Sequence, residues 1–184
     1  MNLDWNVVML RPLDIVVMLK LSLENSERPP YLRLANEVHL YQSEVYASVK
    51  RASHLVQGPA LGDRLNRSSL LEFLLHGIRY ALPAEVGSPT RGIPTSYAAP
   101  QHRSSIADAG DLPPVWPYAD GEVRGYSFVP LHKNVPQAAL EDERLYELSA
   151  LVDALRNGRA RERQLADREL TQRLEVPANA KSKS

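Results

Sequence analysis

The chain has 184 residues, 43% of them hydrophobic, with 22 basic and 22 acidic side chains and a formal net charge of zero. That length suits one compact domain, or one domain with a small appendage. Neutrality argues against a protein that grips nucleic acid by bulk charge. The lack of cysteine excludes disulfides, thiolate metal sites and cysteine nucleophiles, and it fits a cytoplasmic protein. The first 60 residues hold six basic and six acidic side chains, so any basic patch there must come from arrangement.

Residues 1–11 read as a short strand or extended lead-in, with Val7, Val8 and Met9 suited to burial. The apolar run VVMLRPLDIVVMLKL is interrupted by Arg11, Pro12 and Asp14 and is too short to span a bilayer. No small-residue cleavage site follows a basic start, so neither a signal peptide nor a membrane role is expected. From Pro12 to Leu23 the rhythm is helical, with Leu13, Val16, Val17, Lys20 and Leu21 recurring near 3.6 and Pro12 in the tolerant first turn. Pro29-Pro30 makes a stiff entry to the next element.

Tyr31 to Val56 reads as two helices and a tight turn. The first, about 31–38, turns Leu32, Ala35 and Val38 inward, and Ala35 is small enough for a close crossing. The second, about 42–55, turns Val45, Val49 and Ala52 inward, and Leu40 plugs the connection. Its outward residues are polar or small: Gln42, Ser43, Glu44, Tyr46, Ala47, Lys50, Arg51 and His54. Such a face suits a major groove.

Residues 57–67 read as a loop, and a fourth helix follows over about 68–81, capped by Ser68 or Ser69. Leu70, Leu71, Phe73, Leu74, Leu75, Ile78 and Leu82 make it apolar nearly all round, so it is expected inside or against another subunit, with His76 in the core or at that interface. Residues 83–114 are rich in Pro, Gly, Ser and Thr without periodicity and read as an ordered loop or linker. Arg91 within GSPTRGIPT either meets phosphate or a partner carboxylate, or sits on a surface loop pinned to the fourth helix. Residues 115–131 carry a β-hairpin signal around Asp120-Gly121, with Pro117 marking an edge strand. That hairpin is a displaced wing offering Arg124 to a phosphate, or a cover for the fourth helix; the two readings stay open.

Residues 137–174 read as a helical segment, with Leu145, Leu148, Leu151, Val152 and Leu155 on one stripe, Glu141, Asp142 and Glu143 in its first turn and a break at Gly158. Arg156, Arg159, Arg161 and Arg163 form a cluster that either holds nucleic acid or an acidic partner, or is one solvated face neutralised by Glu162, Asp167 and Glu169. Residues 175–184 read as a polar, disordered tail.

The stretch LRLANEVHLYQSEVYASVKRA resembles the helix-turn-helix of winged-helix bacterial transcription regulators, the MarR/GntR-like kind, over about residues 12–56. Their pattern LA-x-x-L-G-L-x-x-S-x-V-x-x-x-V-K-R is matched by Leu34, Ala35, Val38, Leu40, Ser43, Val45, Val49, Lys50 and Arg51. His39 stands where the family has glycine in a left-handed turn, and Tyr41 replaces the capping Ser or Thr, leaving the cap to Ser43. The resemblance implies a three-helix DNA reader with 12–23 as its first helix. Gln42, Ser43, Tyr46 and Ala47 would face base edges; Lys50, Arg51 and His54 would meet phosphates. Tyr31 is a candidate backbone contact or packs on the first helix.

The five histidines show neither an H-x₃-H nor an H-E-x-x-H spacing, and no G-x-S-x-G elbow or phosphate-loop glycine pattern occurs. No enzyme, metal or cofactor is therefore expected. The expected fold is mainly α with a small β-hairpin: a helix-turn-helix domain with an added fourth helix (1–82), the loop, the hairpin and a C-terminal helical segment. The expected function is a homodimeric, sequence-specific regulator of double-stranded DNA. The alternative is a non-enzymatic interaction protein, an antitoxin or an adaptor, that keeps the helix-turn-helix as scaffold for a protein partner.

Overall fold

A computed structural model of the chain describes residues 9–24, 28–55, 64–102 and 112–175. Of the strand or lead-in expected over 1–11, residues 1–8 fall outside the described residues and 9–11 form no strand; residues 57–63 of the loop expected over 57–67 and 176–184 of the tail expected over 175–184 also fall outside. The described part is mainly helical with one small three-stranded sheet.

Helix α1 (Pro12–Ser22) forms where the apolar rhythm places it, with proline in its first turn. Every residue from Asp14 to Ser22 is buried, so α1 is an inner helix. It packs against α2 (Tyr31–Glu37), α3 (Gln42–Arg51) and α7 (Glu143–Asn157). The α2–α3 crossing is built on buried Ala35, Val38, Val45, Val49 and Ala52. Leu32, expected inward, is 56% exposed. With about 100° per residue, Tyr31 rather than Leu32 shares the face of buried Leu34, Ala35 and Val38.

Helix α4 (Arg67–His76) ends at Gly77, and the short α5 (Ile78–Ala81) follows. Its cap is Asn66, whose side-chain oxygen accepts the Ser69 N–H at 3.1 Å, not Ser68 or Ser69. Leu70, Leu74 and Ile78 are buried, while His76 is exposed rather than in a core.

The sheet departs from expectation. Part of the supposed loop is a strand, β1 (Val86–Pro94), and it pairs antiparallel with both β2 (Pro114–Pro117) and β3 (Val123–Phe128). Gly92 lies opposite Pro117 on one side and Val123 on the other. β2 and β3 are themselves parallel, with Pro114 opposite Tyr126, which closes a three-stranded barrel. No hairpin therefore forms at 115–131: the turn through Gly121 carries the chain past the Gly92 backbone instead of folding β3 back on β2. A Cβ at Gly92 would collide with the Trp116 carbonyl, and one at Gly125 with that of Pro113. Only glycine admits strands this close.

The C-terminal segment is three helices: α6 (Val135–Glu141), α7 and α8 (Ala160–Leu174), with the expected break at Gly158 and a second at Asp142. Asp142 does not sit in a first turn; it caps α7, accepting the Arg144 and Leu145 N–H groups at 3.0 and 3.1 Å. The leucine stripe makes α7 the second inner helix. Among the described residues no helix is long and apolar enough to cross a membrane.

One buried carboxylate fastens the sheet to α7. Asp153 accepts from Thr95 Oγ1 at 2.8 Å, Trp116 Nε1 at 2.7 Å and Arg156 Nη1 at 2.8 Å. Burial pushes its pKa up, and those three donors pull against it. Arg156 also donates to the carbonyls of Leu82 at 2.9 Å and Val129 at 3.0 Å, joining the chain before β1 to the chain after β3. Its place in a surface basic cluster is thus corrected: it is only 7% exposed, and its donors are spent inside. Asp153→Ala would leave this guanidinium buried without its counter-charge. We expect a loss of about 3–5 kcal/mol in unfolding free energy by chemical denaturation, whereas an unchanged midpoint would show the pair to be dispensable.

Candidate nucleic-acid interface

The turn between α2 and α3 requires a left-handed residue, and His39 takes that conformation with φ +54°. Two contacts from the C-terminal half hold it there: Asn134 Nδ2 donates to the His39 carbonyl, and the His39 ring Nε2 lies 3.0 Å from Glu141. α3 then starts without a capping side chain at Tyr41. Instead Glu44 Oε2 accepts the Tyr41 N–H at 2.9 Å, so the cap does not fall to Ser43. This turns the only carboxylate of α3 back along the helix.

The outward stripe of α3 is left to Gln42, Ser43, Tyr46 and Lys50, all exposed, with Ala47 half-buried between them. His54 is exposed in the 3-10 turn that follows α3. The structure therefore brings Gln42, Ser43, Tyr46, Ala47, Lys50 and His54 to one helix and its extension. Tyr31 joins them from α2: its ring meets that of Tyr46 edge-on, with centroids 5.5 Å apart. Arg28 Cζ lies 3.9 Å from the Tyr31 centroid, and Lys50 Nζ lies 4.7 Å from the Tyr46 centroid. Arg28 had no motif to mark it; a cation beside Pro29-Pro30-Tyr31 was the only cue.

Arg51 needs correction as a phosphate ligand. Its Nη2 lies 2.7 Å from Asp14 Oδ1 and its Nε 3.1 Å from Oδ2, a two-pronged pair with a carboxylate that is 0% exposed. The guanidinium is spent on holding α3 against α1.

Of the remaining arginines, Arg163 Nη1 donates to the Gly158 carbonyl at 2.6 Å, Arg161 is exposed, and the Arg159 N–H is engaged by Glu162. With Arg156 inside, the four do not form one surface. Arg91 and Arg124 do meet: they are direct cross-strand partners on β1 and β3, both exposed. Neither has an ion-pair partner among the described residues. Like charges in register oppose pairing, so the sheet carries a concentrated positive spot at some cost. Thirty-two residues of sequence lie between the two, and no local pattern announces the pairing.

Arg51→Ala should cost about 3 kcal/mol by leaving Asp14 buried and unpaired, read by denaturant unfolding. Destabilisation of less than about 0.5 kcal/mol would return Arg51 to the solvent-facing set.

Searches of protein-family models, of curated proteins and of solved structures return no match to this chain.

Proposed function

We propose that this chain is a DNA-binding regulator that uses α2 and α3 as a helix-turn-helix and lays α3 in the major groove of duplex DNA. The observation that carries the reading is the outward stripe of α3: Gln42, Ser43, Tyr46 and Lys50 stand exposed together, while the helix's one carboxylate is turned back as a cap. Gln42 and Ser43 lie at the amino end of α3, the end that reaches base edges in such dockings. Gln42 presents an amide suited to an adenine edge, Ser43 a hydroxyl suited to several bases, and Ala47 leaves room for a thymine methyl. Lys50, one turn on, is placed for a phosphate.

Zero net charge is compatible with this role because affinity then depends on a few placed cations rather than on overall charge. Arg91 and Arg124 supply a second such position on the sheet. An uncompensated like-charge pair is what a phosphate would relieve.

The direct test is titration of the purified protein against labelled duplexes tiled across the region upstream of its own gene, at two salt concentrations. The reading expects one fragment to bind well above the rest. Lys50→Ala should lower the slope of log K against log salt by about 0.9, one phosphate's worth. Uniform weak binding that vanishes at physiological salt would overturn the reading.

Arg124→Glu provides an independent check. It replaces a repulsive cross-strand pair by an attractive one, so the thermal midpoint should hold or rise slightly while duplex affinity falls. A lower midpoint with unchanged affinity would make the arginine pair structural.

A further inference from the structure

Tyr46 stands on the stripe expected to face base edges, yet its surroundings describe a different task. Its ring is held from one side by Tyr31, edge-on at 5.5 Å and with the ring planes 88° apart, and it carries the Lys50 ammonium 4.7 Å from its centroid. Tyr31 is in turn backed by Arg28, whose guanidinium carbon is 3.9 Å from the ring centre. The row Arg28, Tyr31, Tyr46, Lys50 runs from the chain entering α2, across the α2–α3 crossing, to the end of α3. Tyr31 is half-buried against the core, so the row is anchored at that point. An exposed lysine ordinarily samples many rotamers and loses that freedom on meeting a phosphate. A ring that already holds the ammonium removes part of the cost before binding.

We propose that Tyr31 and Tyr46 are positioning residues: Tyr31 fixes the Tyr46 ring, and that ring fixes Lys50 as a phosphate contact. The inference rests on the DNA-binding reading above and reassigns Tyr46 within it, from a reader of base edges to a platform. Sequence preference then belongs to Gln42, Ser43 and Ala47, and the aromatic pair sets strength.

The two roles separate by which part of the tyrosine matters. A platform needs the ring; a base reader at a groove edge needs the hydroxyl. A platform also works only through Lys50, so its loss is silent once Lys50 is gone.

The experiment uses the full chain and the best-binding duplex from the tiled set, with Tyr46→Phe, Tyr46→Ala, Tyr31→Phe, Tyr31→Ala and each alanine variant combined with Lys50→Ala. Thermal midpoints are measured alongside, because Tyr31 also packs on the core. Both phenylalanine variants should bind within twofold of the parent. Both alanine variants should bind about three- to tenfold more weakly. In the Lys50→Ala background neither alanine substitution should weaken binding further. A Tyr46→Phe loss as large as that of Tyr46→Ala, or additive losses in the Lys50→Ala background, would overturn the proposal while leaving the DNA-binding reading standing. Absence of duplex binding by the parent chain would overturn both.

Discussion

A carboxylate with no access to water, Asp14 at the start of α1, is the constraint on which the presentation of α3 depends. Burying it alone would be prohibitive, so its charge demands a partner in fixed geometry. Arg51 supplies that partner from the last turn of α3, while the Arg11 N–H occupies Asp14 Oδ2 at 2.8 Å. One charge therefore caps the inner helix and fixes the end of the outer one. With that end held, and with Val45, Val49 and Ala52 buried beneath it, the opposite side of α3 can face only solvent. The exposed stripe is a consequence of the clamp.

The same device recurs on α7. Asp153 and Arg156 gather Thr95, Trp116 and the carbonyls of Leu82 and Val129, and so hold a barrel too small to enclose a core of its own. The two halves meet through a third polar join: Lys20 of α1 lies 2.6 Å from Asp142 at the cap of α7 and 3.0 Å from Glu37 at the end of α2. Asn134 and Glu141 grip the His39 turn from the same side. The turn that aims α3 is thus braced by the C-terminal half of the chain, which gives the added helices and sheet a structural reason to accompany a three-helix unit.

How much of this could be read in advance follows from what kind of force made each element. Apolar rhythm marks α1, the start of α3, the stripe of α7 and the break at Gly158, whereas α3 ends at Arg51, short of the expected 55, and a 3-10 turn follows over 53–55. His39 takes the left-handed turn that the resembled family gives to glycine, so this position is legible through the resemblance and not through periodicity. The sheet was not legible. β1 contains Gly87, Pro89, Gly92 and Pro94, residues that read as loop, and it exists because Gly92 and Gly125 let three backbones approach where side chains would collide. The Asp120-Gly121 signal does mark a turn, closed by the Gly121 N–H on the Tyr118 carbonyl at 3.0 Å, but not a hairpin, because pairing partners are set by contacts distant in sequence. The arginines show the same limit. Arg51 and Arg156 looked like surface cations until Asp14 and Asp153 came to meet them. Arg91 and Arg124 became a pair only through strand register. Local pattern reports which face a helix turns inward; it does not report where a long charged side chain finds its partner.

The exposed tyrosines offer the most direct test of where the chain meets its partner. Tyr41 and Tyr46, at the start and middle of α3, are 79% and 44% exposed, and Tyr80, on α5, is 78% exposed. Hydroxyl-radical footprinting of the protein with and without a saturating duplex reads all three in one sample. If α3 lies in the groove, Tyr41 and Tyr46 lose reactivity on binding while Tyr80 keeps its own. Protection of Tyr80 with Tyr41 and Tyr46 unchanged would place the contact on another face and contradict the account.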